Sequence, residues 1–148
     1  MIAVIQRVTR ASVSIDGSLH SSIDNGLLVL LGVKQGDERR DAELLARKIC
    51  NLRIFSDEND KMNLSAIDVG GSLLVVSNFT LLANYKKVNR PDYMNGAKPD
   101  EANALYDYFC ECTSTLLPTK KGVFGADMKI ELLNDGPVTI VMDSEVLK

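Results

Sequence analysis

A continuous apolar segment at residues 26–33, Gly-Leu-Leu-Val-Leu-Leu-Gly-Val, limits the possible folds of this chain more than any other stretch. It is far shorter than the roughly 20 apolar residues that cross a bilayer. A short apolar run between glycines is typical of a strand that is buried on both faces. Residues 72–77, Ser-Leu-Leu-Val-Val-Ser, follow two glycines and predict a second central strand.

Strands buried on both faces need helices as cover, and the chain contains two helical patterns. The first predicted helix runs over residues 37–52, where Leu45, Ile49 and Leu52 share one apolar stripe. The second begins at Pro99, which suits a first helical turn, and ends before Pro118. Its predicted buried stripe comprises Ala102, Leu105, Phe109, Cys112 and Leu116.

The remaining pattern is rich in strands. Strand-like segments lie at residues 1–9, 11–15, 53–56, 123–133 and 138–142, and a long polar connection covers residues 83–98. We therefore predict an α/β fold, a single compact domain over residues 1–148 with a mixed sheet and two main helices in a layered β/α architecture. Because the N-terminal segment alternates like a strand and no apolar run spans a bilayer, we expect a cytoplasmic protein without membrane contact.

Charge and cysteine content exclude several functional classes. A net charge of −3 argues against indiscriminate nucleic-acid binding, DNA included, although Lys86, Lys87 and Arg90 form a local basic cluster suited to an anion such as a phosphate backbone. The three cysteines are odd in number and lack a C-x-x-C spacing, so neither a disulfide framework nor a metal site is expected. We predict no cofactor.

Two short segments carry the candidate chemistry, although each has a purely structural alternative. Ser77 and Thr80 follow a buried strand, where ligand sites of open sheets lie, but their hydroxyls could simply close the strand end. Gly136 and Pro137 form a dipeptide that can present carbonyl oxygens rigidly, or a tight turn between strands. Phe124 lies among small residues, and is either a stacking platform or a core aromatic.

In combination, seven ordered motifs resemble the D-aminoacyl-tRNA deacylase family, the D-tyrosyl-tRNA(Tyr) deacylases, over essentially the whole chain. They are the opening Met-x-Ala-Val-x-Gln-Arg-Val, the apolar run at 26–33, the segment 48–55, the segment 74–81 ending in Ser-Asn-Phe-Thr-Leu, Asn-Arg-Pro at 89–91, Gly-x-Phe-Gly-Ala-Asp-Met at 122–128 and Asn-Asp-Gly-Pro-Val-Thr at 134–139. One such motif would be weak, but seven in order are specific.

The resemblance implies a homodimer that hydrolyses the ester of D-aminoacyl-tRNA at its acceptor end. In that family the strand end of one subunit, here Ser77, Asn78, Phe79 and Thr80, faces a cis Gly-Pro loop donated by the other, here Gly136 and Pro137. The loop leaves no room for an L side chain, whereas a D-residue or glycine fits.

The resemblance also implies catalysis without a side-chain acid and base. An aminoacyl ester is activated and the neighbouring ribose hydroxyl can assist, so the protein supplies positioning and oxyanion donors, for which the N–H groups near Phe79 and Thr80 are candidates. By family analogy Arg7 braces the Gly-Pro loop, and Phe124 and Met128 contribute to substrate binding, with Phe124 near the adenosine.

Two departures from the family pattern leave alternatives open. Asn78 replaces the usual glutamine, and Val88 replaces a glycine in the basic segment, where a positive φ would be costly for a β-branched residue. The first alternative function is a non-catalytic protein that binds the tRNA acceptor end. The second is a small-molecule esterase with Thr80 as nucleophile, which is ranked lower because no base is visible.

Overall fold

The two apolar runs form adjacent parallel strands at the centre of one sheet. The structure, a computed structural model, describes residues 1–148. Its strands are β1 (Ile2–Ile15), β2 (Ser18–Ile23), β3 (Gly26–Gly32), β4 (Phe55–Ser56), β5 (Met62–Leu64), β6 (Ser72–Ser77), β7 (Thr119–Lys121) and β8 (Lys129–Asp143). Its helices are α1 (Arg39–Cys50) and α2 (Pro99–Ser114), with 3-10 turns at Phe79–Leu82 and Ser144–Leu147. The predicted mixed α/β fold with two main helices is confirmed.

The main sheet has the order β2-β1-β3-β6-β7, and β8 pairs with the other edge of β1. Strands β3 and β6 are parallel, whereas β1 is antiparallel to β2, β3 and β8. A hydrogen bond of 2.8 Å from the Ser21 hydroxyl to the Lys121 carbonyl links β2 to β7, so the sheet is nearly closed. No helix is long and apolar enough to cross a membrane.

Strand alternation divides the core between the two faces of the sheet. Leu27, Val29 and Leu31 point to the face that α1 and α2 cover, together with Ile5 and Val75. The residues that alternate with these point to the opposite face of the sheet. A second buried cluster lies there, made of Val8, Ala11, Val13, Ile23, Leu28, Leu74 and Val76. Both faces of the central strands are therefore buried, which explains their continuous apolar sequence.

Element bounds differ from the sequence prediction where side chains compete with regular structure. Helix α1 begins only at Arg39, because the Asp41 carboxylate accepts the Glu38 N–H at 2.9 Å and caps the first turn. Residues 122–128 form a turn, so the segment predicted as a strand over 123–133 begins at Lys129. From there β8 continues to Asp143 as one long strand.

The buried face of α2 was predicted only in part: Phe109 is buried as expected, and Ala102, Leu105 and Cys112 are partly buried against the core. Tyr106, Phe109, Cys110 and Thr113 are buried, whereas Leu116 is exposed. The Tyr106 hydroxyl donates to the Val75 carbonyl at 2.7 Å, and this bond to the central strand turns the aromatic side of the helix inward.

Asp41 also belongs to a buried polar cluster that joins both chain ends to α1. The α-ammonium of Met1 donates to the Asp37 carboxylate and the Ser144 hydroxyl, each at 2.9 Å, and Ser144 donates in turn to Asp41 at 2.6 Å. Lys148 pairs with Asp41 at 3.0 Å. Burial alone would raise the pKa of Asp41, but hydrogen bonds from Ser144, Glu38 and Lys148 outweigh it and lower the pKa to about 2.

This cluster predicts a specific loss of stability in acid. A carboxylate with a lowered pKa in the folded protein stabilises it above its unfolded pKa of 3.8, and that contribution disappears as pH falls through about 2. We expect the wild type to lose about 2 kcal/mol from this group between neutral pH and pH 2, a loss that Asp41→Asn does not show. Urea unfolding over this pH range measures it, with exposed Asp24→Asn as control. Parallel acid profiles for wild type and Asp41→Asn would contradict the prediction.

Candidate functional site

A pocket of about 590 Å³ opens at the carboxyl end of β6. Five of the residues singled out from the sequence line it, namely Ser77, Asn78, Phe79, Phe124 and Met128. The strand end supplies the first three, and the turn between β7 and β8 supplies the other two. The long connection and the start of α2 add further wall residues, Tyr93, Gly96, Ala97, Pro99 and Ala102, and the turn that carries Phe124 adds one carboxylate, Asp127. The pocket therefore lies at the end of a buried strand, where sheet ligands commonly bind.

Asn78 organises the strand end. Its own N–H donates to the Leu31 carbonyl at 2.9 Å, which extends the pairing between β3 and β6. Its side-chain oxygen accepts both the N–H of Thr80, at 3.2 Å, and the Thr80 hydroxyl. The amide thus caps the short 3-10 turn that follows.

This cap changes the expected set of hydrogen-bond donors. The Thr80 N–H, a candidate oxyanion donor from the sequence, is already bound to Asn78. The N–H of Phe79 and the side-chain Nδ2 of Asn78 have no acceptor within the chain. They are the donors at the strand end that remain open to a ligand.

Aromatic side chains surround the mouth of the pocket. Phe79 is 62% exposed, and its ring packs edge-on against Tyr93 with centroids 4.9 Å apart. Phe124 lies 6.2 Å from the ring of buried Tyr106, so it is a partly exposed wall residue. Sequence reasoning missed Tyr93, although its place in the irregular segment 83–98 was a usable signal because such connections often carry function.

Gly136 and Pro137 lie in a bulge of β8 and not in a simple turn. Thr139 pairs with Gln6 and Asn134 with Val8, so residues 135–138 face a single residue of β1. The Gly136–Pro137 peptide is cis. An ideal Cβ built on Gly136 overlaps the main-chain nitrogen of Val138, so no side chain fits at this position.

Asn134 and Arg7 hold the bulge from its two sides. The Asn134 amide donates to the carbonyls of Arg7 and Val138, at 3.0 and 2.9 Å, and accepts the Val138 N–H at 3.2 Å. Arg7 donates from Nε to the Asp135 carbonyl at 2.8 Å and from Nη1 to the Ile54 carbonyl at 2.7 Å. The Arg7 side chain is only 12% exposed. Its guanidinium therefore ties the bulge to the segment before β4.

Within one chain the bulge is not part of the pocket, because neither Gly136 nor Pro137 lines it. Ser77 pairs with Leu31, which pairs with Ala3, whereas the bulge faces Arg7. The structure thus joins Ser77, Asn78, Phe79, Phe124 and Met128 in one place and Arg7, Gly136 and Pro137 in another.

Val88 adopts an ordinary backbone conformation. The residues other than glycine with positive φ are Asp16 and Asp60. The basic segment therefore accepts a β-branched residue at position 88 without strain.

Comparisons with known proteins match this chain over nearly its whole length. The family model for D-Tyr-tRNA(Tyr) deacylase matches residues 4–143. A curated protein of Parabacteroides distasonis, named D-aminoacyl-tRNA deacylase, is 57% identical over 147 residues, covering 98% of each chain. A solved structure of a c-Myc DNA unwinding element binding protein has a TM-score of 0.91 and 42% identity, covering 97% of this chain and 98% of that one. A probable eukaryotic D-amino acid tRNA deacylase, with a TM-score of 0.82 and 14% identity over 96% and 98% of the two chains, shares the fold.

Proposed function

Because the chain belongs to the D-Tyr-tRNA(Tyr) deacylase family, we propose that it hydrolyses the ester between a D-amino acid and the terminal adenosine of tRNA. Its curated relatives are named D-aminoacyl-tRNA deacylases, and the chain is a hydrolase of the same kind. The observation that carries the proposal is the pocket at the end of β6, which offers main-chain and amide donors and no acid–base pair. The products are the free D-amino acid and tRNA.

The chemistry proposed for this site depends on the substrate's own reactivity. An aminoacyl ester is already activated, and the adjacent ribose hydroxyl can assist the attacking water. The protein then needs to hold the ester and stabilise the oxyanion that develops on its carbonyl oxygen. The open N–H of Phe79 and the Nδ2 of Asn78 are the donors assigned to that oxygen. Phe124 and Met128 form the wall on which the adenosine rests.

Thr80 is assigned a supporting role in this scheme. Its hydroxyl proton is directed at the Asn78 amide oxygen, and an amide is too weak a base to remove that proton. A nucleophilic Thr80 would need a base, and Asp127, the carboxylate that lines the pocket, is exposed, pairs with Lys129 and accepts no hydrogen bond from Thr80. The geometry therefore favours substrate-assisted hydrolysis over an esterase that uses Thr80.

Discrimination against L-amino acids is assigned to Gly136 and Pro137 of a second copy of the chain. The bulge does not line the pocket of its own chain. It is also held firmly by Arg7 and Asn134 and presents main chain where no side chain fits. A rigid main-chain surface from a partner excludes an L side chain by overlap while admitting a D-residue or glycine. The homodimer is part of this proposal.

Parallel deacylation of D-tyrosyl-tRNA, L-tyrosyl-tRNA and glycyl-tRNA tests the function. We expect loss of the D-ester and of the glycyl ester, with the L-ester spared. Release of radiolabelled amino acid measures each rate, with buffer alone as control. Loss of both D- and L-esters would refute exclusion by the Gly-Pro loop. Binding of all three without turnover would refute the enzyme and favour a protein that only binds the acceptor end.

A further inference from the structure

The segment 84–94 projects from the pocket mouth and carries three free cations. Lys86, Lys87 and Arg90 are exposed, and none of them forms an ion pair within the chain. The protein as a whole has a net charge of −3, so its overall field repels a polyanion. A local group of cations is then the kind of surface that attracts a phosphate backbone.

The main chain holds this segment in a defined shape. Asn84 and Asp92 exchange two backbone hydrogen bonds, of 2.8 and 3.0 Å, which close the loop at its base. The Asp92 carboxylate accepts the Met94 N–H at 3.2 Å and the Asn84 amide at 3.3 Å. The carboxylate within the loop is thus engaged at the base, away from the three cations.

The loop is also physically continuous with the candidate site. Tyr93, which follows its base, packs against Phe79 and lines the pocket, as do Gly96 and Ala97. A ligand seated in the pocket by its terminal adenosine would extend past this loop. The carboxylate that lines the pocket, Asp127, pairs with Lys129.

We propose that Lys86, Lys87 and Arg90 bind the phosphates of the tRNA acceptor stem while its 3′ end occupies the pocket. This inference rests on the proposed function and names the part of the substrate that the loop recognises. Lysine and arginine contacts to phosphate add affinity without reading sequence. The loop therefore lets the enzyme hold many different tRNAs by their common backbone.

Steady-state kinetics with two substrates test the assignment. The triple variant Lys86→Ala, Lys87→Ala, Arg90→Ala is expected to raise KM for D-tyrosyl-tRNA about tenfold or more at about 0.15 M salt, with kcat unchanged. The slope of log KM against log salt should fall by about 2 to 3, because each phosphate contact contributes about 0.9. A small substrate, D-tyrosyl-adenosine, lacks the stem and should keep its wild-type kinetics.

A matched triple variant controls for net charge. Arg40→Ala, Arg47→Ala, Lys48→Ala removes the same charge from the exposed face of α1 and should leave KM for the tRNA substrate near the wild-type value. An equal loss in both triple variants would overturn the assignment, as would equal loss on the small ester or an unchanged salt slope. Fluorescence anisotropy with uncharged tRNA measures the slope of log Kd against log salt, which needs no turnover. If the wild type is inactive, the proposed function is refuted, and the salt dependence of tRNA binding still decides the role of the loop.

Discussion

Gly136→Ala is expected to lower kcat/KM for D-tyrosyl-tRNA by about 100-fold or more, since a displacement of about 1 Å at a reacting centre can cost that much. A Cβ at this position overlaps the main-chain nitrogen of Val138 and approaches the Val138 side chain at 2.9 Å. Because the first clash is with main chain, no change of side-chain rotamer relieves it. The bulge must move, and with it the surface assigned to chiral exclusion.

Two controls separate a displaced loop from an unfolded protein. Asp135→Ala removes a carboxylate 3.4 Å from Arg7 but keeps the carbonyl that Arg7 binds, so its activity should stay within a few-fold of wild type. Thermal unfolding of Gly136→Ala should show a folded domain, because the bulge is exposed. Full D-specific activity in a folded Gly136→Ala would rule out the role assigned to the loop.

Substitutions at Asn78 are expected to have the second-largest effect. Asn78→Ala removes both the open Nδ2 donor and the oxygen that caps Thr80, and should cost about 100-fold or more in kcat, the usual loss for one oxyanion donor. Asn78→Asp keeps the capping oxygen, loses the donor and adds a negative charge, so it should be at least as inactive. Rapid-quench measurement of ester hydrolysis gives kcat directly.

Thr80→Ala is the matched variant for this series. It loses only the hydroxyl that donates to Asn78, so a reduction of less than about tenfold is expected. Asn78→Asp with wild-type kcat would show that Asn78 acts only as a cap. A complete loss in Thr80→Ala, with Asn78→Asp active, would instead restore Thr80 as the nucleophile.

The two variants together test the donated loop. Co-expressed Gly136→Ala and Asn78→Ala chains form mixed dimers, and each mixed dimer contains one strand end and one loop that are both intact. If the loop acts across the interface, the mixture should recover about a quarter of wild-type activity, as two-fold symmetry requires. No recovery, or full activity in a monomer measured by light scattering, would refute the dimeric site.

Several features were accessible from sequence because they depend on near neighbours. The central strands β3 and β6 were predicted with nearly their observed bounds. A continuous apolar run indicates a strand buried on both faces even when the strands that pair with it are not known. Pro99 was correctly placed at the first position of α2. The ordered motifs identified the family, because a motif is defined by residue types at fixed positions along the chain.

Other features required the folded chain. Tyr106 of α2 donates to the Val75 carbonyl and is buried, whereas the periodicity of the helix alone favoured a stripe that shares only Phe109 with the fully buried residues. From the sequence alone the Thr80 N–H is a free donor, whereas in the folded chain the Asn78 side-chain oxygen accepts it. Which acceptor a donor binds depends on distance and angle, and the amino-acid sequence does not specify either.

The sequence by itself determined the fold class, the two central strands, the two main helices and the residue types available for chemistry. These follow from apolar periodicity and backbone preference, which act over a few residues. Only the tertiary structure decided that Ser77 and Phe124 share a pocket while Gly136 lies outside it. That arrangement depends on pairing between strands distant in sequence, and long-range pairing is set by the packing of the whole sheet.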